Sequence, residues 1–418
     1  MSEGLERCFR GTSRNVRALL EAALEGAVLD AESALPLTDA RGADLRALCA
    51  AADVLRAEQV GDRVSYVVNR NINFTNQCVK ACKFCAFSRT ARSEEAYYLD
   101  TAEILRRAEQ ASSMGATEVC IQAGLPPRAA PTLYLDLLRA VRKALPALHV
   151  HAFSPEEVKY GAGLMGLSLY DYLSELKREG IGSLPGTSAE ILDDDVRKRL
   201  AGGRITTAEW IEVIRTAHRV GIPTTATIMY GHIETPLQRL RHIELLGRLQ
   251  EETGGFTEFV PLSFVHAEAP LHWKRMLPDV RPGPTGHDVT RLIAISRLML
   301  GKSFRNIQTS WVKEGIRQAQ WLLDCGANDL GGTLMNESIS TSAGAQHGQL
   351  MKPSELRRVI RDAGRLPLER NTRYGVVREF SADPAEDPVS PLDSIEDVEA
   401  VFGSYEQLTQ LARASKRA

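Results

Sequence analysis

The chain has few cysteines, no long apolar run and almost no net charge, and each shortage excludes a class of protein. Seven cysteines in 418 residues, an odd count with no basic and apolar leader after Met1, argue against a secreted disulfide framework. No apolar stretch approaches the ~18 residues of a membrane helix. The balance of 51 basic against 53 acidic side chains leaves a formal charge of −2, so there is no electrostatic footprint for nucleic acid or an anionic membrane. Neither a nucleophile elbow nor a Walker loop nor a zincin helix is present. A hydrophobic content of 44% is nevertheless enough for a large core. The expectation is a cytoplasmic globular protein without nucleic-acid or membrane partners.

What is present is a rhythm. Short β-rich runs at 65–73, 118–122, 148–153, 182–185, 224–229, 258–264, 306–309 and 329–331 alternate with helical patterns at 101–114, 132–145, 167–178, 207–219, 236–253, 288–300 and 313–324. Thr101 reads as the N-cap of the first of these helices, and several end at glycine, where a left-handed residue stops the helix. Eight strands joined by helices predict an α/β fold, a (β/α)8 TIM-type barrel, rather than an open sheet with an early dinucleotide turn. The expected organisation is N-terminal helices over 1–60, the barrel over 61–350, a barrel-associated segment over 351–379, and an acidic linker with a helical tail over 380–418. The stretch 380–397, rich in Asp, Glu, Pro and Ser, reads as a mobile linker.

Directly after the first strand stands Cys78-Val-Lys-Ala-Cys82-Lys-Phe84-Cys85. Three thiolates so close can hold three corners of an iron–sulfur cubane, whereas a protein-only cluster takes four. The missing fourth ligand leaves one iron open to a small molecule. Structural zinc prefers paired C-x2-C units and four ligands, and Cys8, Cys49, Cys120 and Cys325 are scattered. Barrel active sites form at the C-terminal strand ends, where this loop lies.

Other strand ends carry candidate contacts. Phe84 either packs against an adenine ring or fills the loop core. Gln122 and Gly124 end the second strand, where small-residue backbone can approach a ligand. Ser188 and Glu190 follow the fourth strand as ligands for ribose hydroxyls and an amine, or else as parts of a helix cap. Tyr230 ends the fifth strand, and Gly331-Gly332-Thr333 suits a phosphate, a ribityl chain or a tight turn. His151, His232, His266, Asn306 and Asn328 are candidate substrate contacts, giving a neutral polar rim with few fixed charges, against which Arg204 and Arg305 stand close in sequence.

The three-cysteine spacing, with an aromatic before the third cysteine, resembles the radical S-adenosylmethionine (SAM) superfamily. The segments Asn71-Ile-Asn73-Phe-Thr-Asn76-Gln-Cys78, His151-Ala-Phe-Ser-Pro-Glu156-Glu157 and Leu184-Pro-Gly-Thr-Ser-Ala-Glu190 resemble its deazaflavin and futalosine branch. Thr225-Ala-Thr-Ile-Met-Tyr230-Gly-His232 and Gly255-Phe-Thr-Glu258-Phe-Val-Pro-Leu-Ser-Phe-Val-His266 are similar to the tyrosine-using subunits of FO synthase. The resemblance implies one [4Fe–4S] cluster on Cys78, Cys82 and Cys85, with SAM on the open iron. Phe84, Gln122, Gly124, Ser188, Glu190 and Tyr230 would then border the cofactor. It implies radical cleavage of L-tyrosine between Cα and Cβ and transfer of the 4-hydroxybenzyl group to 5-amino-6-(D-ribitylamino)uracil, in coenzyme F420 biosynthesis. An electron donor such as ferredoxin or flavodoxin, and a deazaflavin-cyclising radical SAM partner, follow from the same resemblance. An aminofutalosine synthase or dehypoxanthine futalosine cyclase of menaquinone synthesis is the alternative on the same barrel. A non-catalytic iron–sulfur protein is the alternative from another class.

Overall fold

Successive strand segments pair in parallel until the last meets the first. The computed structural model describes residues 3–417. Arg63–Val67 and Asn69–Ile72 together form the first strand, and the latter pairs with Glu118–Ile121, which pairs with His149–Ala152. The fourth and seventh strands are reduced to bridges: Ser183 and Leu184 link His151 to Thr224, and Ile307 and Gln308 link Phe259 to Asp329. Between them Thr224–Tyr230 pairs with Phe256–Ser263. Asp329–Gly332 closes the ring on Arg63–Val67. The eight-strand barrel expected from the rhythm is therefore present, with two of its staves very short.

Side chains alternate across each strand. On the fifth, Thr225 and Thr227 face the lumen, while Ala226, Ile228 and Tyr230 are fully buried toward the surrounding helices. Outside the ring, Ala43–Val60 packs on Gly286–Leu300, and the Gln59 side chain donates to the Gly301 carbonyl at 2.9 Å. No helix among the described residues is long and apolar enough to cross a membrane.

Several local readings need correction. The cap of helix Thr101–Ser113 is Asp100, whose carboxylate accepts from the Glu103 N–H at 2.8 Å; Thr101 is the first helical residue. Helix Pro155–Met165, closed by a Ser154/Glu157 capping box, has no counterpart in the expected pattern. The helix expected over 313–324 is broken at Gly315, whose φ of 74° no helical residue adopts.

The C-terminal third departs furthest from expectation. Leu366–Arg370 adds a parallel strand beside Arg63–Val67 and turns into an antiparallel hairpin with Val376–Glu379. The acidic stretch is docked rather than free. Asp387 accepts from Arg357 at 2.7 Å and Arg361 at 2.6 Å, and Asp393 accepts from the Ser354 N–H at 3.0 Å, all on helix Pro353–Asp362. The tail forms two helices, Val398–Phe402 and Tyr405–Arg417, separated by Gly403 and Ser404. It returns to the cysteine loop, where the Tyr405 ring lies 5.6 Å from Phe87 and 6.5 Å from Tyr97. Arg413 pairs there with Glu95.

Candidate active site

The cysteine loop is tied to its own return at Arg89, to the turn after strand Glu118–Ile121 and to helix Asp194–Ala201. The Cys78 N–H donates to Arg89 O at 3.0 Å, Val79 N–H to Leu125 O at 2.9 Å, and Lys83 N–H to Leu200 O at 3.0 Å. Gly124 allows the close approach: a Cβ there would stand 2.3 Å from the Gln77 carbonyl oxygen. Cys78, Cys82 and Cys85 are free thiols lining one cavity of about 240 Å3. Its walls are mainly apolar, from Phe84, Phe87, Leu125, Leu262 and Phe264, with Gln122, Ser188 and Glu190 among the polar groups. The Gln122 amide donates to the Thr187 hydroxyl across the cavity floor.

Against the thiols lies a charge network. Arg204 pairs with Glu190 at 2.9 Å and Glu156 at 3.2 Å, and stands 3.8 Å from the Cys82 sulfur and 5.8 Å above the Phe84 ring. Lys80 reaches Glu156 at 3.0 Å, and Arg197 reaches Glu190 at 3.4 Å. Burial pushes the Cys82 thiol up to about 12, with Arg204 pulling the other way. Glu157, in the same wall, accepts from Ser154 and from the Ala123 N–H at 3.1 Å, yet burial raises it to about 7. Ser188 and Glu190 do not cap a helix. They occupy left-handed backbone, at φ 78° and 41°, strain of the kind that persists where surroundings enforce it.

Below, and sharing Gln122, Thr187, Thr227 and Leu262 with it, opens a second cavity of about 170 Å3 in the barrel lumen. It is more polar than the first: Asn69, Glu118, His151, Gln308 and Arg370 line it beside Val67, Val260 and Leu330. The His151 Nδ1 meets the Ser183 hydroxyl at 2.6 Å, and burial holds the ring toward its neutral form. Arg370, from the added strand, pairs with Asp329 at 2.5 Å and Glu258 at 3.4 Å. Tyr374 also donates to Glu258 at 2.5 Å.

The structure thus gathers Cys78, Cys82, Phe84, Cys85, Gln122, Gly124, Ser188 and Glu190 around one cavity, with His151 in the lumen beneath. The remaining candidates lie elsewhere. Tyr230 points outward, fully buried, with Arg239 5.0 Å over its ring, because the strand alternation turns it from the lumen. His232 is buried on its own loop, Nε2 2.9 Å from the Met229 carbonyl and Nδ1 accepting from the Ile233 N–H at 2.8 Å. His266 stacks edge-on against His272 outside the cavity wall. Asn306 and Asn328 begin their strands rather than end them, so they bond each other at 3.2 Å at the opposite, N-terminal face. Gly332 makes room for the Asn69 side chain, which would meet a Cβ at 2.1 Å, and so serves packing rather than a phosphate. Nor is the rim short of fixed charge: Lys80, Arg204 and Lys313 line the cavity.

Comparison with known proteins places this geometry. The radical SAM superfamily profile matches residues 72–246, and the CofH/MqnC C-terminal region matches residues 253–383. The chain is 52% identical over 343 residues to the 5-amino-6-(D-ribitylamino)uracil–L-tyrosine 4-hydroxyphenyl transferase of Methanothermobacter thermautotrophicus, covering 82% of this chain and 93% of that one. The chain belongs to this transferase family of the radical SAM superfamily. A second transferase of that name, from Archaeoglobus fulgidus, is 51% identical over 78% of this chain and 92% of its own length. The FO synthase of Nocardia farcinica is 49% identical over 86% of this chain, but the match spans 41% of that relative. Among solved structures, methylornithine synthase superposes with a TM-score of 0.65 at 19% identity, covering 84% of this chain and 97% of that one. At that identity the likeness establishes the barrel alone. Membership of the radical SAM transferase family carries with it an iron–sulfur cluster and SAM. Of the cavity's charged residues, Arg204 was not legible from spacing, since it stands in a loop far along the chain from the cysteines. Glu157 carried a local signal that the expected pattern did not use, the Ser154-x-x-Glu157 capping box that opens helix Pro155–Met165.

Proposed function

We propose that the chain cleaves L-tyrosine between Cα and Cβ and joins the 4-hydroxybenzyl fragment to C5 of 5-amino-6-(D-ribitylamino)uracil, a step toward the deazaflavin of coenzyme F420. The observation that carries this reading is the convergence of Cys78, Cys82 and Cys85 on one cavity in a chain half identical to transferases of that name. The donor set fits a cluster rather than a single ion. Among the described residues no three His, Cys, Asp or Glu side chains are grouped to hold one metal ion, whereas three separate thiolates can each take one iron of a [4Fe–4S] cubane. Arg204 and Lys80 supply positive charge beside these thiols, which favours the thiolate form. When bound, the cluster and SAM supply the electron and the hydrogen-atom acceptor with which tyrosine is opened.

The chain's own residues bind and shield. Gln122, Gly124, Ser188 and Glu190 are placed to meet the cofactor's polar groups, and Phe84 its adenine. The apolar wall of Phe87, Leu262 and Phe264 excludes water from the reacting centre. The polar lumen offers His151, Asn69, Gln308 and Arg370 to the hydroxyls and ring edges of the substrates. A ferredoxin or flavodoxin would deliver the electron in the reducing cytoplasm, and a second radical SAM subunit would close the deazaflavin ring.

The test is anaerobic incubation of the reconstituted protein with SAM, dithionite, tyrosine and the ribitylated uracil, read by mass spectrometry. The expected products are the benzylated uracil together with 2-iminoacetate or its hydrolysis product glyoxylate. Turnover of an aminofutalosine or dehypoxanthine futalosine precursor, with none of tyrosine, would move the chain to menaquinone synthesis.

A further inference from the structure

The wall that carries Cys82 and Cys85 has a second, outward side. A groove of about 480 Å3 runs along it, bordered by Cys82, Cys85, Trp273, Lys274 and Met276. Helix Pro270–Trp273 is fastened to the cysteine loop by the Leu271 N–H, which donates to the Lys83 carbonyl at 2.7 Å. The groove therefore keeps a fixed position relative to the thiols. Its outer rim is left to solvent, with Trp273 59% and Met276 43% exposed. An exposed indole beside an exposed thioether is the kind of apolar anchor that interfaces bury.

The charge around this anchor is mainly positive, with Glu268 the one carboxylate of the groove lining that no cation neutralises. Arg89 and Arg199 are neutralised by Glu95 and Asp279. Among the described residues Lys83, Lys274 and Arg275 have no carboxylate partner. The Lys274 ammonium instead rests 4.8 Å from the Trp273 ring centroid. An aromatic anchor ringed by unpaired cations suits an acidic protein surface. Cys82, Cys85, Ala86 and Ser88, all on the cysteine loop, line both this groove and the inner cavity.

We propose that this groove docks an acidic one-electron carrier protein, which passes its electron inward through the wall formed by Cys82 and Cys85. The inference rests on the cluster reading above. In the transfer the carrier is oxidised by one electron and the cluster reduced by one, and no bond is made or broken.

Flavodoxin, an acidic flavoprotein, is the probe, titrated calorimetrically onto the full-length, cluster-loaded protein at about 50 and about 300 mM salt, across which the screening length shortens by a factor of about 2.4. Binding is expected to weaken about tenfold or more over that interval, and Lys274→Glu and Trp273→Ala are each expected to weaken it about tenfold. Flavodoxin-driven cofactor cleavage should fall in step, while dithionite-driven cleavage and iron content stay at the wild-type level. Variants that bind flavodoxin and accept its electrons as the wild type does would overturn the proposal. So would a dimer of the chain that Lys274→Glu dissociates, which would give the groove to a second copy. If dithionite drives no cleavage in the wild type, the function proposed above fails, and the binding titration still judges the groove.

Discussion

Two buried charge clusters, one beside the cysteines and one in the lumen below, are assembled from similar parts and balanced in opposite directions. In the upper cluster Arg204, Arg197 and Lys80 pair directly with Glu156 and Glu190, three cations to two carboxylates, with Glu157 in the same wall raised to about 7 by burial. In the lower one Arg370 alone faces Asp329 and Glu258, with Glu118 near enough to act on Glu258. The upper surplus is positive where thiolates must form. The lower surplus is negative, and burial relieves it by raising Glu258 above the ordinary carboxylate range. One cluster is thus left short of negative charge, as suits a site that binds an anionic group. The other settles its balance internally by holding a proton, as suits the floor of a site that takes uncharged hydroxyls and ring edges.

The sharpest way to break this contrast is to remove what the upper surplus serves. Replacing Cys78, Cys82 or Cys85 by Ala is expected to abolish cofactor cleavage and lower bound iron, whereas Cys120→Ala and Cys325→Ala leave iron content unchanged. Anaerobic iron analysis with deoxyadenosine quantitation checks it. A full iron load in the Cys82 variant would mean that the positive surplus compensates something else.

A second measurement compares the two arginines. Arg370→Met strands Asp329 and Glu258 without a cation and is expected to cost about 3–5 kcal/mol at pH 8, the scale of a broken buried pair. Arg204→Met leaves Glu156 with Lys80 and Glu190 with Arg197, so about half that loss is expected. The pH dependence separates them further. A carboxyl raised in the folded state contributes stability that is present below its unfolded value and lost as pH rises through the folded one. Glu258 is such a group, so the Arg370→Met deficit should shrink from pH 8 to pH 5; Glu157, on which Arg204 acts only as the weakest of several causes, gives the Arg204→Met deficit a smaller change in the same direction. Urea denaturation at both values reads this, and equal pH slopes would dissolve the distinction between the clusters.

The smallest expected effect sharpens the upper cluster alone. Glu190→Gln removes one of its two carboxylates, and a charge-assisted hydrogen bond to the cofactor with it, weakening SAM by about 1–3 kcal/mol with the fold intact. A large fall in melting temperature with unchanged SAM affinity would make Glu190 a structural partner of Arg204 and nothing more.

How much of this was legible in the sequence follows the range of each signal. The cysteine spacing is local, and so are the apolar runs that mark most strands; these gave the barrel and eight of the residues now around the cavity. Strand alternation was equally legible and would have turned Tyr230 away from the lumen, since Thr227 and Met229 flank its neighbours on the inner face. Asn306 and Asn328 were placed at the wrong end because chain direction, not strand membership, decides which face a residue reaches. Arg204 could be seen to lie close to a strand end, but its partners, like those of Arg370, were beyond reach. Each acts on carboxylates from other strands or helices, and no spacing within one segment records such a meeting. The docking of Asp387 and Asp393 onto Arg357 is of the same long-range kind, and composition alone made that stretch look free.

The tail helix that rests on the cysteine loop has a consequence for the order in which the protein is made. The loop leaves the ribosome more than three hundred residues before Tyr405, whose ring closes over Phe87 and Tyr97. During that interval the remaining barrel strands are added one after another, and the outer buttress of the loop comes last. Synthesis of the last segment then lays Tyr405 on Phe87 and Tyr97, so the outer packing of the loop is the last part of this wall to be made.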